Sequence, residues 1–330
     1  MRKKIALFAL LSWSVLAQAQ QDPMFTNYLF NALTFNPAYA GSNEHLTINA
    51  LNRNQWVGID GAPVTQTVTI HTPLKGDKVG LGFSLVNDKI GPTNTLDLAV
   101  SYAYRIPVGK NAKLSIGLQG SYNNNRSDWS QLTIQSPDDA FKYNISSWKP
   151  NFGAGIYYYS KHFYTGIAVP RFLENTYITA SQSTLPLQGK EYRHYYFTMG
   201  AAIPIRGDAL IFKPSLLLKA SALDNELRPD ANGYTVGAPK ELNIDLSLFF
   251  QQTLWIGTSF RTSIEAINKT SSFDSVDFWA AYYLAGGLRL GTGYDFSLTK
   301  IQQKSVGSFE VFLGYEFDFK EKKVVTPRYF

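Results

Sequence analysis

The chain has 330 residues, no cysteine and a formal net charge of +6 at pH 7. Without cysteine it cannot form a disulfide, a zinc–thiolate site or a cysteine nucleophile. Three of the positive charges, Arg2, Lys3 and Lys4, lie in a segment expected to be removed. The remaining surplus of about +3 is too small to indicate a nucleic-acid partner.

Residues 1–19 have the pattern of a secretory signal peptide. The basic residues precede an apolar run from Ile5 to Leu16, and Ala17-Gln18-Ala19 fits the small-x-small cleavage rule. The mature chain is therefore expected to begin at Gln20. A transmembrane anchor is the alternative, but the run is shorter than the roughly 17–25 residues that a spanning helix needs.

Residues 20–44 form a second apolar region. Apolar side chains at 25, 28, 29, 32 and 33 would share one face of a short helix, which Pro37 would end. Because so apolar a segment is not expected to remain in water, it should enter a barrel as a plug or bind a partner.

Residues 45–319 alternate between apolar and polar side chains. Between 95 and 106, and again between 241 and 250, apolar residues occupy every second position, and the positions between them are mostly polar or small. This period of two predicts strands with one apolar and one polar face. Charges well inside long segments favour a water-filled lumen, and 20 Tyr, 22 Phe and 6 Trp favour aromatic girdles. The sequence therefore predicts an all-β, outer-membrane β-barrel, although a soluble β-sandwich would also alternate.

Fourteen antiparallel strands are expected. Their predicted first residues are His45, Val64, Lys78, Thr93, Ala112, Asn151, His162, Tyr192, Ala209, Glu241, Thr253, Ser275, Gly286 and Val306. Short links, such as the one at 206–208, alternate with long links at 55–63, 123–150, 170–191, 221–240, 263–274 and 299–305. Only the link at 88–92 is brief for its side. This order is typical of barrels with short periplasmic turns, and an even count returns both termini to the periplasm. Residues 320–330 would then be a periplasmic C-terminal tail.

No catalytic or metal constellation is apparent. The four histidines, at 45, 71, 162 and 194, lack metal-binding spacing. An outer-membrane hydrolase would need Ser or Asp beside His on neighbouring strands, which sequence alone cannot establish. Acidic residues at 138, 139, 224 and 226 could bind Ca²⁺ but are more often solvated. We expect no enzyme activity, no cofactor and no metal.

Two regions are candidates for protein contacts. The link after the first strand, beginning Arg53-Asn54-Gln55-Trp56, is too apolar for an ordinary outer loop, so it is expected to fold inward over the lumen. Membership of Trp56 in the aromatic belt is the alternative. The ending Pro327-Arg328-Tyr329-Phe330 is either a frayed tail or a peptide that docks on a periplasmic protein.

Several of these residues resemble the PorP/SprF family of the type IX secretion system of Bacteroidetes. The matching pieces run in family order along the whole mature chain, and only together are they specific. They are Asp22-Pro23-Met24-Phe25-Thr26-Asn27-Tyr28, Phe35-Asn36-Pro37-Ala38-Tyr39-Ala40-Gly41-Ser42, Arg53-Asn54-Gln55-Trp56, Gly61-Ala62-Pro63-Val64-Thr65, Asp88-Lys89-Ile90-Gly91-Pro92 and Pro327-Arg328-Tyr329-Phe330.

The resemblance implies a non-enzymatic outer-membrane component that supports export or surface attachment of large adhesin-like substrates, with a link to gliding motility. It also implies contact with the secretion machinery through a periplasmic peptidoglycan-binding lipoprotein. On this hypothesis Asn36, Pro37, Tyr39 and the tail Pro327 to Phe330 contact the partner. Arg53, Gln55 and Trp56 would gate the lumen or contact substrate.

A channel for hydrophobic small molecules is the alternative function. Fourteen strands and an N-terminal Asn-Pro-Ala also resemble the FadL-type fatty-acid channels. That interpretation predicts a continuous apolar pocket from the outer loops to the N-terminal segment, whereas the predicted inner faces are mainly polar.

Overall fold

The computed structural model describes residues 25–43, 45–74, 76–131, 144–178, 188–221, 240–264 and 273–317. The predicted signal peptide and C-terminal tail lie outside these ranges, as do the acidic loop residues at 138, 139, 224 and 226. Within the described residues, seventeen strands and four 3₁₀ segments are present.

The strands are β1 Leu46–Asn54, β2 Val64–Pro73, β3 Val79–Ile90, β4 Thr93–Val108, β5 Ala112–Ser127, β6 Ile145–Ser160, β7 Phe163–Val169, β8 Thr176–Ile178, β9 Gln188–Lys190, β10 His194–Ala201, β11 Ile203–Pro204, β12 Leu210–Ser221, β13 Glu241–Phe250, β14 Leu254–Ser263, β15 Phe273–Tyr283, β16 Leu288–Ser297 and β17 Ser308–Phe317. The 3₁₀ segments are Tyr28–Thr34, Pro37–Tyr39, Trp129–Gln131 and Lys300–Gln303.

Fourteen of the described strands close into one antiparallel barrel. β1 pairs with both β2 and β17, and β10 pairs with both β7 and β12, so the ring has no open edge. β11 adds two residues beside β12, and β8 and β9 form a separate hairpin in the link after β7. The predicted fourteen-strand barrel is confirmed.

The two faces of each strand carry the chemistry that the alternation predicts. On β4, Val100 is 61% exposed while Ala103, which points inward, is fully buried. On β17, Val311 is 58% exposed and Glu310 is fully buried. Because a membrane barrel presents its outer face to lipid, the apolar residues on that face are at their expected positions, and the charged residues line the interior.

The links alternate in length as predicted, with 91–92 as the short exception on the long side. One predicted boundary is wrong: the link expected at 123–150 spans only 128–144, because β5 and β6 each have 16 residues. Asn123 to Asn125 pair in register with Lys149 to Ser147, and Tyr122 stacks on Trp148 with ring centroids 5.0 Å apart. Asparagine is depleted in strands, so the ladder overrides local propensity here.

The short links define one end of the barrel, which we call the periplasmic end because such turns face the periplasm. The long links define the outer end. Residues 25–43, called the N-terminal segment below, lie inside the barrel.

Candidate functional site

The N-terminal segment begins at a carboxylate clamp. Glu310, on the inner face of β17, accepts hydrogen bonds from the backbone N–H groups of Thr26 and Asn27, both at 2.9 Å. Arg53 of β1 donates to the Thr26 hydroxyl and lies 3.5 Å from the Glu310 carboxylate. The first residues of the segment are therefore held by charge-assisted hydrogen bonds in a site that excludes water.

A buried ion network extends from this clamp across the neighbouring strands. Asp295 of β16 receives Nη2 of Arg53 at 2.7 Å and Nη1 of Arg261 at 3.2 Å. The other arm of Arg261 reaches Asp277 at 3.2 Å. Since removal of one member leaves a buried charge unpaired, the network ties β1, β14, β15, β16 and β17 to one arrangement.

An aromatic cage surrounds Phe30. Its ring stacks on Phe312 at a centroid distance of 4.1 Å and meets the edges of Trp255 at 5.0 Å and Trp279 at 6.0 Å. The indole N–H of Trp279 donates to Asp245 at 2.8 Å. The cage therefore anchors the segment by burying its apolar ring, while the indole N–H of Trp279 keeps a hydrogen bond to the barrel wall.

The opposite wall is shaped to accept the backbone of the segment. A Cβ added at Gly117 would overlap the backbone of Ala38, and one added at Gly80 would overlap the carbonyl of Ala40. Ser115 donates to the Ala38 carbonyl at 2.7 Å, and Arg105 donates to the Gly41 carbonyl. These glycines permit a close approach that no other residue would allow.

Tyr28 joins the segment to a third part of the wall. Its hydroxyl lies 2.8 Å from the Ser215 hydroxyl on β12. Burial raises the pKa of Tyr28 well above its ordinary value, so the phenol remains protonated. Further along, Phe35 stacks on Tyr196 of β10 at 5.4 Å. Contacts of the segment thus reach strands on all sides of the barrel.

Two cavities flank the segment and share Tyr28 and Phe35 as lining residues. The periplasmic cavity, about 370 Å³, is lined by Asn43, Lys213, Gln252, Trp255, Arg289 and Glu316 among others. The outer cavity, about 330 Å³, is lined by Asp88, Asp97, Arg171, Glu191, His194 and Lys219 among others. Arg171 pairs there with Asp97 and, at 2.8 Å, with Glu191.

The residues predicted to contact a partner are placed as follows. Asn36 and Pro37 are buried against the wall, where the Asn36 amide donates to the Ile156 carbonyl at 3.3 Å. Tyr39 packs edge-on against His71 and Tyr157. Their role in partner binding stays a prediction, and so does that of Pro327, Arg328, Tyr329 and Phe330, which lie outside the described residues.

The three residues predicted to form a gate are not brought together. Arg53 belongs to β1, not to the following link, and its side chain points into the lumen. Trp56 is 36% exposed, and backbone hydrogen bonds join Val57 to Val306 and Gly307 in the next outer link. Neither Gln55 nor Trp56 lines either of the two cavities. The link therefore packs beside a neighbouring link, and its predicted fold inward over the lumen is not seen.

Sequence comparison identifies the family. A family model described as type IX secretion system membrane protein PorP/SprF matches residues 17–315. The chain belongs to the PorP/SprF family. No curated protein sequence matches it. Membership associates this PorP/SprF protein with the type IX secretion machinery, and its barrel is an outer-membrane barrel.

Three solved structures share the fold of this PorP/SprF protein. The CymD monoaromatic hydrocarbon channel has a TM-score of 0.56 and 11% identity, covering 88% of this chain and 93% of that one. A TodX mutant, also a monoaromatic hydrocarbon channel, has a TM-score of 0.51 and 10% identity, covering 87% of this chain and 94% of that one. A Pseudomonas aeruginosa FadL homologue has a TM-score of 0.50 and 12% identity, covering 92% of this chain and 96% of that one.

Among the described residues of this PorP/SprF protein, no helix has the length and apolar character needed to cross a membrane. No cluster of side chains in the same residues has the composition of a metal site.

Sequence analysis did not predict Glu310 of the clamp, Asp295 of the ion network, or Trp255 and Trp279 of the Phe30 cage as functional residues. Phe312 offered one signal, because a large aromatic residue on a mainly polar inner face must pack against something inside the barrel.

Proposed function

We propose that this chain is a non-enzymatic outer-membrane component of the type IX secretion system that supports export, surface attachment or both for adhesin-like substrates. We further propose that its lumen is closed by the N-terminal segment at rest. The observation that carries this proposal is the fixation of Thr26 to Gly41 to the wall. The carboxylate clamp, the Phe30 cage and the close backbone contact at Gly80 and Gly117, called the glycine cradle below, hold it there. A closed barrel suits a docking component better than an open pore.

The periplasmic end is the proposed site of the machinery. β17 ends at that end of the barrel, and the sequence that follows it includes the tail Pro327 to Phe330, whose aromatic side chains would contact a peptidoglycan-binding lipoprotein. Asn36 and Pro37 are buried, so they would reach a partner only after the segment leaves the wall. Arg53 would hold the segment in place until that release. Trp56 would offer an exposed contact at the outer rim.

Complementation in the native cell tests this function. A strain lacking the gene should lose surface display of its adhesin substrates, and the wild-type gene should restore it. A variant lacking residues 324–330 should assemble its barrel but restore display poorly. Normal display with that variant would remove the proposed role of the tail, and normal display without the gene would reject the function.

A channel for small aromatic molecules is the second candidate. It is favoured by the aromatic lining of the periplasmic cavity, which includes Phe249, Trp255 and Tyr283, and by the fold shared with two channels for monoaromatic hydrocarbons. The charged inner wall opposes it, since Asp245, Asp277 and Arg261 are buried there. Uptake of labelled toluene that depends on this gene would favour the channel; uptake unchanged by deletion would exclude it.

A further inference from the structure

The periplasmic cavity is bounded by aromatic side chains of both the barrel wall and the N-terminal segment. Phe249, Trp255 and Tyr283 come from the adjacent strands β13, β14 and β15. The Phe249 ring contacts the other two, at centroid distances of 5.8 Å to Trp255 and 5.2 Å to Tyr283. Tyr28 and Phe35 of the segment line the same cavity. A ligand inside it would therefore meet ring surfaces from both the wall and the segment.

Two cations lie among these rings. Nζ of Lys213 is 3.4 Å from the centroid of the Trp255 ring, and the guanidinium carbon of Arg289 is 5.6 Å from that of Tyr283. Lys213 is only 5% exposed and Arg289 only 9%. Among the described residues that line the cavity, Glu316 is the one acid, and it pairs with Arg289 at 3.1 Å. The lining therefore carries a surplus of positive charge, which favours a negatively charged ligand.

The outer cavity has the opposite balance of charge. The carboxylates of Asp88, Asp97 and Glu191 line it, together with the two cations Arg171 and Lys219. A negative surplus of this kind repels an anion, so the preference for an anionic ligand belongs to the periplasmic cavity and not to the lumen as a whole.

A small aromatic carboxylate matches the combination of rings and positive charge. A planar ring packs favourably against phenylalanine and tyrosine side chains, and a carboxylate forms charge-assisted hydrogen bonds with a lysine ammonium group. Ligand pockets usually enclose roughly 300–1,000 Å³. The cavity, at about 370 Å³, is near the lower end of that range, so its size suits a free molecule with one or two rings.

We propose that the periplasmic cavity binds a small aromatic carboxylate such as benzoate. The carboxylate pairs with Lys213, and the ring packs against Phe249, Tyr283 and Phe35. Arg289, the second residue of β16, lies near the periplasmic mouth and attracts the anion as it enters. Because the ligand contacts both the wall and the segment, its binding stabilises the segment in the barrel. This inference goes beyond the proposed function, since export does not require a small molecule. Unlike the channel considered above, it requires a charged ligand.

A ligand series tests the chemistry in the purified, unsubstituted protein. Saturation-transfer NMR titrations in detergent, with protein-free micelles as the blank, would compare benzoate with benzamide, its neutral analogue of similar shape. Benzoate should bind about tenfold more tightly, the effect of one charge-assisted hydrogen bond. Cyclohexanecarboxylate has the same charge without the aromatic ring and should bind several times more weakly than benzoate. Equal affinity for benzoate and benzamide would overturn the proposal, and equal affinity for the two carboxylates would overturn its aromatic part.

Substitution of the lysine tests the location of the site. Lys213→Met should lower the affinity for benzoate to that for benzamide, while unchanged binding of benzamide shows that the cavity is intact. Lys219→Met is the matched control, because Lys219 is on the same strand but lines the outer cavity, and it should keep the preference for benzoate. An undiminished preference in Lys213→Met would overturn the proposed site. The ligand series needs no variant, so it remains decisive even if Lys213→Met does not fold. None of these measurements depends on export, so the proposed function is tested independently.

Discussion

At the scale of single residues, Glu310 decides where the N-terminal segment begins its path through the barrel. Its two carboxylate oxygens receive the N–H groups of Thr26 and Asn27, and Arg53 balances its charge. The residue is fully buried, so water cannot replace either partner. A neutral amide at this position could accept only through one oxygen and would leave Arg53 with a weaker partner.

We therefore expect Glu310→Gln to loosen the segment by about 3 kcal/mol, the usual cost of breaking a buried ion pair. Limited chymotrypsin digestion should then cut within residues 25–43, which contain Tyr28 and Phe35. Asp97→Asn removes a partly buried lumen carboxylate, which pairs with Arg171 away from the clamp, and should leave the segment resistant. Equal resistance of all three proteins would rule out the clamp.

The glycine cradle makes a second prediction at this scale. Gly117→Ala places a methyl group against the Ala38 backbone and should cost about 1–3 kcal/mol through overpacking. Gly120→Ala on the same strand meets open space and is the matched control. The thermal unfolding midpoint in detergent should fall for Gly117→Ala alone. A similar fall in the unfolding midpoint for both variants would mean that the lost stability comes from replacing a strand glycine and not from the contact with Ala38.

At the scale of elements, the strands could be predicted because alternation is a local property of the sequence. From 98 to 105, each apolar residue on the lipid face of β4, such as Val100, is followed by a small or polar residue facing the lumen. The beginning of β6 could not be predicted in this way. Ser146 and Ser147 belong to it only because the ladder with Asn125 and Arg126 continues, and that pairing depends on the partner strand.

The N-terminal segment shows a further limit of sequence analysis. Its apolar spacing predicted a helix ended by Pro37, whereas the structure has two 3₁₀ segments separated by Phe35 and Asn36. The Asn36 side chain accepts from the Ala38 N–H within the segment and donates to the Ile156 carbonyl of the wall. The contact with Ile156 comes from a strand distant in sequence, so local spacing carries no signal for it.

Phe30 makes the prediction that belongs to this scale. Phe30→Ala should weaken binding of the segment by about 3–5 kcal/mol, as for other buried phenylalanines. The emission of Trp255 and Trp279 should shift to the red as water enters the cage. Phe278→Ala, beside Trp279 but 59% exposed on the lipid face, should leave the emission maximum unchanged. No shift in Phe30→Ala would mean that the cage is not coupled to the segment.

At the scale of the whole molecule, the barrel and its family could be recognised from the sequence, but the site could not. Sequence analysis singled out Asn36 and Tyr39 because their motif is distinctive, and both lie in the N-terminal segment. Asp295 and Glu310 carry no local signal, because a charge on an inner face is ordinary in a barrel. Their role in the site depends on their ion pairs with Arg53, which lies more than two hundred residues away in sequence and beside them in space.

On the proposed function, the N-terminal segment holds the lumen closed. Single-channel recording in planar bilayers tests it most directly, with the wild-type protein compared with Glu310→Gln and with a variant lacking residues 25–43. We predict almost no ion conductance for the wild type, intermittent openings for Glu310→Gln and a steady open level for the deletion variant. A steady open level in the wild type, equal to that of the deletion variant, would contradict the claim.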